Sequence, residues 1–236
     1  MNNRCLISVI VTCYNLENFV SRAINSCLSQ TLHDSLYEII VVDDCSTDDS
    51  WNVISNYIVD KNSIKYSDPR SHIVRAIRHT ENRGVSAASN TGIQNANGKY
   101  IVRVDGDDYI DKNFLFSMTQ VLEWNDDIGF VYCDHIVIEK DRTRHLQLNT
   151  LDKLLDHGAG VVFRKRYLES LGMYNEEYRN REDYDLILRY IKNFDSYHLR
   201  LPYYKYVKRE NSLTSDVENR QEIKNKIDKN LRVSNE

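Results

Sequence analysis

The densest chemistry in this chain is Lys99-Tyr-Ile-Val-Arg-Val-Asp-Gly-Asp-Asp-Tyr-Ile110, where a β-like run from Tyr100 to Val104 ends in Asp105, Asp107 and Asp108. Side chains alternate along an extended chain, so Asp105 and Asp107 can point the same way. Gly106 between them allows a tight bend and close ligand approach. Two carboxylates on one side of a strand end are costly unless positive charge sits between them. A divalent cation carrying a phosphate meets that need. A solvated acidic turn closing a strand is the bland alternative, and this stretch alone leaves the two level.

Further polar groups recur in similar places. Tyr14 and Asn15 follow an apolar run; a tyrosine face can stack on a nucleobase, or simply cover the sheet edge. Asp43 and Asp44 could receive a base N–H or ribose hydroxyls, or form a turn before a helix. Arg83 and Gly84 precede a helix start, where backbone N–H groups and a cation could meet a diphosphate. Glu182 and Asp183 begin another helix. Acidic residues there are favoured by the helix dipole, but one could also deprotonate a hydroxyl. A carboxylate at a helix start is expected to keep a lowered pKa. His135, His145, His157 and His198 fall in no metal-binding spacing and read as structural or solvated. The chain has no G-x-G-x-x-G and no G-x-x-x-x-G-K-[ST], which argues against a dinucleotide dehydrogenase or a P-loop NTPase.

These groups need elements to position them. Leu6 to Val11 is nearly continuous and apolar, as in a strand buried on both faces. Glu17 to Gln30 places Phe19, Val20, Ala23, Ile24, Cys27 and Leu28 on one helical stripe. A second strand, Glu38 to Val42, leads to Asp43 and Asp44. Ser46-x-x-Asp49 reads as a cap for a helix through about residue 59. Asp60 to Ser71 is a loop, Ile73 to Ile77 a third strand, and Val85 to Ala96 a helix capped by Asn97-Gly98. This βαβα alternation predicts a doubly wound, mostly parallel sheet. Ligands then sit beyond the carboxyl ends of the strands, where Tyr14, Asp44 and Asp105 all lie. Downstream, the pattern predicts a helix to about Glu123, a strand over Ile128 to Ile138 and an exposed excursion from Lys140 to Asn149. Short helices over Leu151 to His157 and Arg164 to Leu171, a helix after Asp183 and a β-like Tyr197 to Val207 follow. The highly charged segment from Ser215 reads as an exposed or loosely docked helix.

Composition bounds the function. At 236 residues, 41% apolar and 28% charged, the chain suits one large globular domain. A net charge of −4 gives no footprint for nucleic acid. Sixteen tyrosines against six phenylalanines suit polar ligands as well as half-buried positions. The five cysteines are odd in number and scattered, so neither a disulfide framework nor a zinc site is expected, and a reducing, cytoplasmic setting fits. No signal peptide is expected, nor a run of about 18 apolar residues able to span a bilayer; peripheral contact with the inner face of a membrane stays open. So does oligomeric state, since the charged C-terminal helix offers a face to a partner chain.

Five segments together resemble the family 2 glycosyltransferases, which have the inverting GT-A fold. They are Ser8-Val-Ile-Val-Thr-Cys-Tyr-Asn15, Glu38-Ile-Ile-Val-Val-Asp-Asp-Cys-Ser-Thr-Asp48, Asn82-Arg-Gly-Val-Ser-Ala-Ala-Ser-Asn-Thr-Gly92, Gly98-Lys-Tyr-Ile-Val-Arg-Val-Asp-Gly-Asp-Asp108 and Arg181-Glu-Asp183. Each is modest alone, but their order and spacing from Ile7 to Leu213 are specific. The resemblance implies an α/β GT-A domain in two halves: residues 1–110 binding the nucleotide sugar, and 111–214 holding the acceptor and the catalytic base. Residues 215–236 form a charged C-terminal helix or tail.

The activity implied is inverting transfer of a sugar from a nucleotide-diphosphate sugar to the hydroxyl of a saccharide or lipid-linked acceptor, in surface polysaccharide or glycoconjugate synthesis. Thr12, Tyr14, Asp44, Arg83 and Asp105 would bind the donor. Asp105-Gly-Asp107 matches the family's D-x-D motif, with Asp107 and Asp105 binding Mn²⁺ or Mg²⁺. Asp183 matches the catalytic base. Two departures matter. Ser89-Asn90 stands where the family often has Arg-Asn, and Arg209 stands near the position of a metal- or phosphate-supporting His. Arg cannot ligate a cation but can contact phosphate. These departures keep a catalytically weak, glycosyltransferase-like binding subunit as an alternative. A sugar-nucleotide pyrophosphorylase ranks lower, because Cys13-Tyr14-Asn15-Leu16 stands where that class has a Gly-rich basic loop.

Overall fold

The computed structural model describes residues 5–58, 73–209 and 217–233. The expected loop from Asp60 to Ser71 and both ends of the charged tail, residues 215–216 and 234–236, lie outside these. The first half alternates as expected: β1 (Ile7–Cys13), α1 (Val20–Leu28), β2 (Tyr37–Asp43), α2 (Ser50–Ser55), β3 (Val74–Arg78), α3 (Val85–Gln94) and β4 (Tyr100–Asp105). The two residues of β5 (Tyr109–Ile110) follow the acidic turn. Next come α4 (Phe114–Trp124), β6 (Ile128–Ile138), β7 (Arg144–Gln147), α5 (Leu151–His157), β8 (Val161–Arg164) and α6 (Lys165–Ser170). The described chain ends with α7 (Glu182–Ile191), β9 (Asp195–Val207) and α8 (Val217–Val233).

The nine strands of the described residues join one sheet in the order β3-β2-β1-β4-β8-β6-β9-β5, with β7 beside β6. Strands β3, β2, β1 and β4 are parallel. Beyond β4 the sheet turns mixed: β8 is antiparallel to both β4 and β6, while β9 runs parallel to β6. Every residue of β1 is buried, because helices cover both faces. Val9, Val11, Ile39, Val41, Val102 and Val104 pack into the core on one face, with α1 and α4. Ile10, Ile40, Val42 and Ile101 pack on the other, with residues of α3, α6 and α7. This alternation matters for the site. Arg103 and Asp105 continue the phase of Ile101, so both face the layer that contains α7.

Several boundaries differ from expectation. Helix α1 begins at Val20 rather than Glu17, because Glu17 is spent on the neighbouring loop: its N–H donates to Asp48 and its carboxylate accepts from the Asp49 N–H. Ser46 does not cap α2, which starts after Asp49; its hydroxyl accepts instead from the Asn15 N–H at 2.9 Å. Asn97-Gly98 is not the cap of α3, which ends at Gln94 and is capped by Asn95. The Gly98 N–H donates to the Ser8 hydroxyl at 2.8 Å, and a Cβ at Gly98 would overlap the β1 backbone. The Lys140–Asn149 excursion includes a strand: β7 forms a hairpin with the end of β6. The charged tail is docked. Ile227 is buried against Tyr178 and Tyr184, and the Tyr184 hydroxyl donates to Asp228 at 2.6 Å.

Candidate active site

The acidic turn is built from three directions. Gly106 packs against the end of β1, where a Cβ would lie 2.7 Å from the Thr12 carbonyl oxygen, and its N–H donates to that oxygen. Arg22 of α1 donates to the Asp107 carbonyl oxygen at 2.6 Å. Strand β9 fastens the far side: the Val207 N–H donates to Asp108 at 2.8 Å, and the Asp105 N–H donates to the Tyr204 hydroxyl at 3.3 Å. Asp108 is buried, and burial beside Asp107 and Asp105 pushes its carboxyl well up. Its part is to hold the turn.

Asp105 stays partly exposed on this frame, and Asp107 beside it is more deeply set. The Thr12 hydroxyl donates to Asp105 at 3.3 Å. Asp107 accepts from Arg209 Nε at 2.6 Å, so the arginine that departs from the family pattern pairs with the D-x-D carboxylate itself. Burial and the adjacent Asp105 push the Asp107 carboxyl up, and Arg209 offsets part of that rise. Among the described residues, no group of three or more His, Cys, Asp or Glu is placed to hold a metal. Two hard oxygen donors still fit a cation of the Mg²⁺ type, which commonly takes one or two carboxylates and completes its shell with substrate phosphates and water.

Sequence reasoning missed the residue that joins the site, Arg103. Its guanidinium meets Asp105 at 3.0 Å, Glu182 at 2.9 Å and Asp183 at 2.7 Å, and lies 5.3 Å from the Tyr174 ring centroid. Arg's planar fork can serve several carboxylates at once, which a lysine ammonium cannot match. The available signal was an arginine inside an otherwise apolar strand, two residues before Asp105. Asp183 thus lies beside the end of β4, although 80 positions separate it from Arg103. Arg181, in the left-handed region at φ 61°, turns the chain into α7. Gly158, at φ 39°, comes so close that a Cβ there would overlap the Asp183 carboxyl.

The expected lowering of the Asp183 pKa is overturned. Burial pushes it up to about 7; Arg103 opposes the shift, while Glu182 and Asp105 add to it. Burial, with three carboxylates sharing one guanidinium, outweighs the pull of the helix dipole.

The remaining candidates form a second group at the ends of β1 and β2. Tyr14 is 46% exposed, leaving a face open for stacking. Asp44 is buried and engaged: it accepts from the Arg83 and Gly84 N–H groups at 2.9 and 2.7 Å and pairs with His79 at 2.7 Å. It therefore fastens the turn that carries Arg83. The Arg83 guanidinium is half exposed and reaches Glu176 at 3.1 Å. Ser89, which stands where the resemblance leads one to expect arginine, donates its hydroxyl to the Val85 carbonyl at 2.7 Å, and Asn90 is turned inward, donating to the Tyr174 carbonyl at 2.9 Å and accepting from the Tyr174 N–H at 3.0 Å.

Comparison with known proteins bears on the family and the fold. The model of the family described as Glycosyl transferase family 2 matches residues 8–215. An uncharacterized glycosyltransferase, EpsJ of Bacillus subtilis (strain 168), is 37% identical over 141 residues, covering 60% of this chain and 37% of EpsJ. The Escherichia coli UDP-Glc:alpha-D-GlcNAc-diphosphoundecaprenol beta-1,3-glucosyltransferase WfaP is 32% identical over 136 residues, covering 58% of this chain and 48% of WfaP. The chain therefore matches less than half the length of these relatives. Among solved structures, residues 1–349 of S. aureus TarS in complex with UDP-GlcNAc superpose with a TM-score of 0.74 at 23% identity, covering 90% of this chain and 61% of that one. That likeness establishes the GT-A fold, and with the family match it places the chain in glycosyl transferase family 2.

Proposed function

We propose that this chain is an inverting glycosyltransferase that moves a sugar from a nucleotide-diphosphate sugar to an acceptor hydroxyl in surface polysaccharide or glycoconjugate synthesis. The observation that carries this reading is the Arg103 bridge, which sets Asp183 beside the donor-side carboxylate Asp105. A base and a donor carboxylate held by one side chain are preorganised for a single displacement. The likeness to WfaP, a transferase onto GlcNAc-diphosphoundecaprenol, supports a lipid-linked or saccharide acceptor here as well.

In this scheme Tyr14 stacks on the nucleobase and Thr12 lies by the ribose. Asp44 holds the turn from which Arg83 reaches the diphosphate. Asp107 and Asp105 would hold Mn²⁺ or Mg²⁺, whose contribution when bound is to neutralise charge growing on the leaving diphosphate. Asp183 accepts the proton of the attacking hydroxyl. A carboxylate with a pKa near 7 is well matched to that task, because it is largely ionised just above neutrality yet basic enough to take a proton. Arg103 keeps the ionised form in place.

The test is a panel of UDP-, GDP-, dTDP- and CMP-linked sugars, scored by thermal shift with Mn²⁺ and with EDTA. The reading predicts that at least one nucleotide sugar raises the melting temperature, and more so with the metal. A chain that binds none of them contradicts it.

A further inference from the structure

Each carboxylate of the D-x-D pair already carries an arginine. Arg103 Nε meets Asp105 at 3.0 Å, and Arg209 Nε meets Asp107 at 2.6 Å. The two arginines are held differently. Arg103 lies inside β4, gripped by three carboxylates, with its side chain 11% exposed. Arg209 lies just past the end of β9, and its side chain is 23% exposed.

The approach of Arg209 to Asp107 is set by the backbone before it. The Val207 N–H donates to Asp108 at 2.8 Å, and the Lys208 N–H donates to the Ile138 carbonyl at 3.0 Å. The chain is thus pinned up to the residue before Arg209. From there the guanidinium passes over Phe19, 5.3 Å from the ring centroid, and onto Asp107. An arginine on a fixed base can exchange a carboxylate for a phosphate within its reach, because its planar fork pairs with both.

This arrangement penalises a cation that arrives alone. Such a cation must take Asp107 from Arg209, and it meets an Asp105 already held by Arg103 and the Thr12 hydroxyl. A guanidinium left partly buried without its anion is costly. A cation that arrives with a nucleoside diphosphate brings the replacement anion with it.

We infer that Arg209 couples cation binding to donor binding: it holds Asp107 in the free protein and passes to a phosphate of the nucleoside diphosphate when Asp107 takes the cation. The inference rests on the transferase reading and adds a positioning residue and an order of binding to it. Coupling of this kind is reciprocal, so the cation strengthens donor binding by the factor by which the donor strengthens cation binding. Without the arginine, the free protein gains affinity for the cation and loses affinity for the nucleotide.

The experiment compares the full wild-type chain with Arg209→Ala, Arg209→Lys and Lys208→Ala. Binding of Mn²⁺ without nucleotide is read from the electron paramagnetic resonance signal of the free ion. Binding of UDP, GDP and dTDP, each with Mn²⁺ present, is read by titration calorimetry. Arg209→Ala is expected to bind Mn²⁺ alone at least about tenfold more tightly than wild type, and the nucleotide at least about tenfold more weakly. A gain in metal affinity cannot come from misfolding. Arg209→Lys should restore part of the nucleotide affinity. Lys208 carries the same charge one residue away but is spent on Glu139 at 2.8 Å, so Lys208→Ala should leave Mn²⁺ affinity within about twofold. If a nucleotide binds wild type but Arg209→Ala binds Mn²⁺ no more tightly, or keeps full nucleotide affinity, the inference falls and the transferase reading stands. An equal gain in Lys208→Ala would show an effect of net charge alone and also overturns it. If no nucleotide binds the wild type, both fall.

Discussion

Arg103 and Asp183 meet at 2.7 Å across 80 positions of sequence, and the same guanidinium holds Asp105. One strand residue thereby sets the spacing between the carboxylate that would face the donor and the one that would activate the acceptor. The arrangement follows from period-two alternation in β4 and from the placement of α7 over the same face of the sheet.

The pairing has a pH signature. Asp183 must be ionised to act as a base, and burial has pushed its pKa up to about 7. Turnover under kcat/KM conditions should therefore be half-maximal near pH 7 on the acid limb, falling about tenfold per unit below it. A pH–rate profile with its acid limb near pH 4 would show an unshifted carboxylate.

Removing the guanidinium leaves buried negative charges without their partner. Arg103→Met is predicted to cost about 3–5 kcal/mol in denaturant unfolding at pH 8. Arg103→Lys should recover only part of that, because an ammonium cannot reach three carboxylates in fork geometry. In any Arg103 variant that stays folded, the acid limb should move to higher pH. A stability loss within about 0.5 kcal/mol would count against the bridge.

Gly158 is the contact that fixes Asp183 from the other side. Gly158→Ala combines a positive-φ position with overlap on the carboxyl, so it should displace Asp183 and cut kcat by about 10²-fold, with a stability loss of about 1–3 kcal/mol. The check is kcat alongside the melting temperature. Wild-type kcat in the variant would mean that Asp183 can shift without consequence.

Much of this was legible in the residues. Nearly continuous apolar runs such as Leu6 to Val11 point to buried parallel strands, and Tyr14, Asp44 and Asp105 lie at or just past their carboxyl ends as expected. What lay hidden depends on distant packing. Arg103 looks like any charged residue in a strand until α7 is brought over it. Asp44 reads as a ligand group, yet its oxygens are spent on the Arg83–Gly84 turn. The helix dipole suggests an acidic Asp183, whereas burial, helped by Glu182 and Asp105, reverses the shift. Local capping rules failed at Ser46 and Gly98 because both serve contacts with other segments.

The metal expectation rests on Asp107. Asp107→Asn should weaken Mn²⁺-supported donor binding by at least about tenfold. Wild-type protein in EDTA should bind the donor about as weakly as the variant does in Mn²⁺. Calorimetry with the nucleotide sugar found in the panel reads both. Donor binding that is indifferent to EDTA in the wild type would place the charge neutralisation on Arg209 and Arg83 instead.

The central claim is that Asp183 is the base at the donor site, and Asp183→Asn tests it most directly. An Asp whose pKa is raised on folding contributes stability below its unfolded value of about 3.9 and loses it as pH rises through about 7. At pH 8 the variant should therefore melt no lower than the wild type, and a loss of rate cannot be ascribed to unfolding. With donor and acceptor supplied, kcat is predicted to fall by about 10²–10⁴-fold while donor affinity, measured in the same preparation, is kept. Transfer at more than a tenth of the wild-type rate would contradict the account.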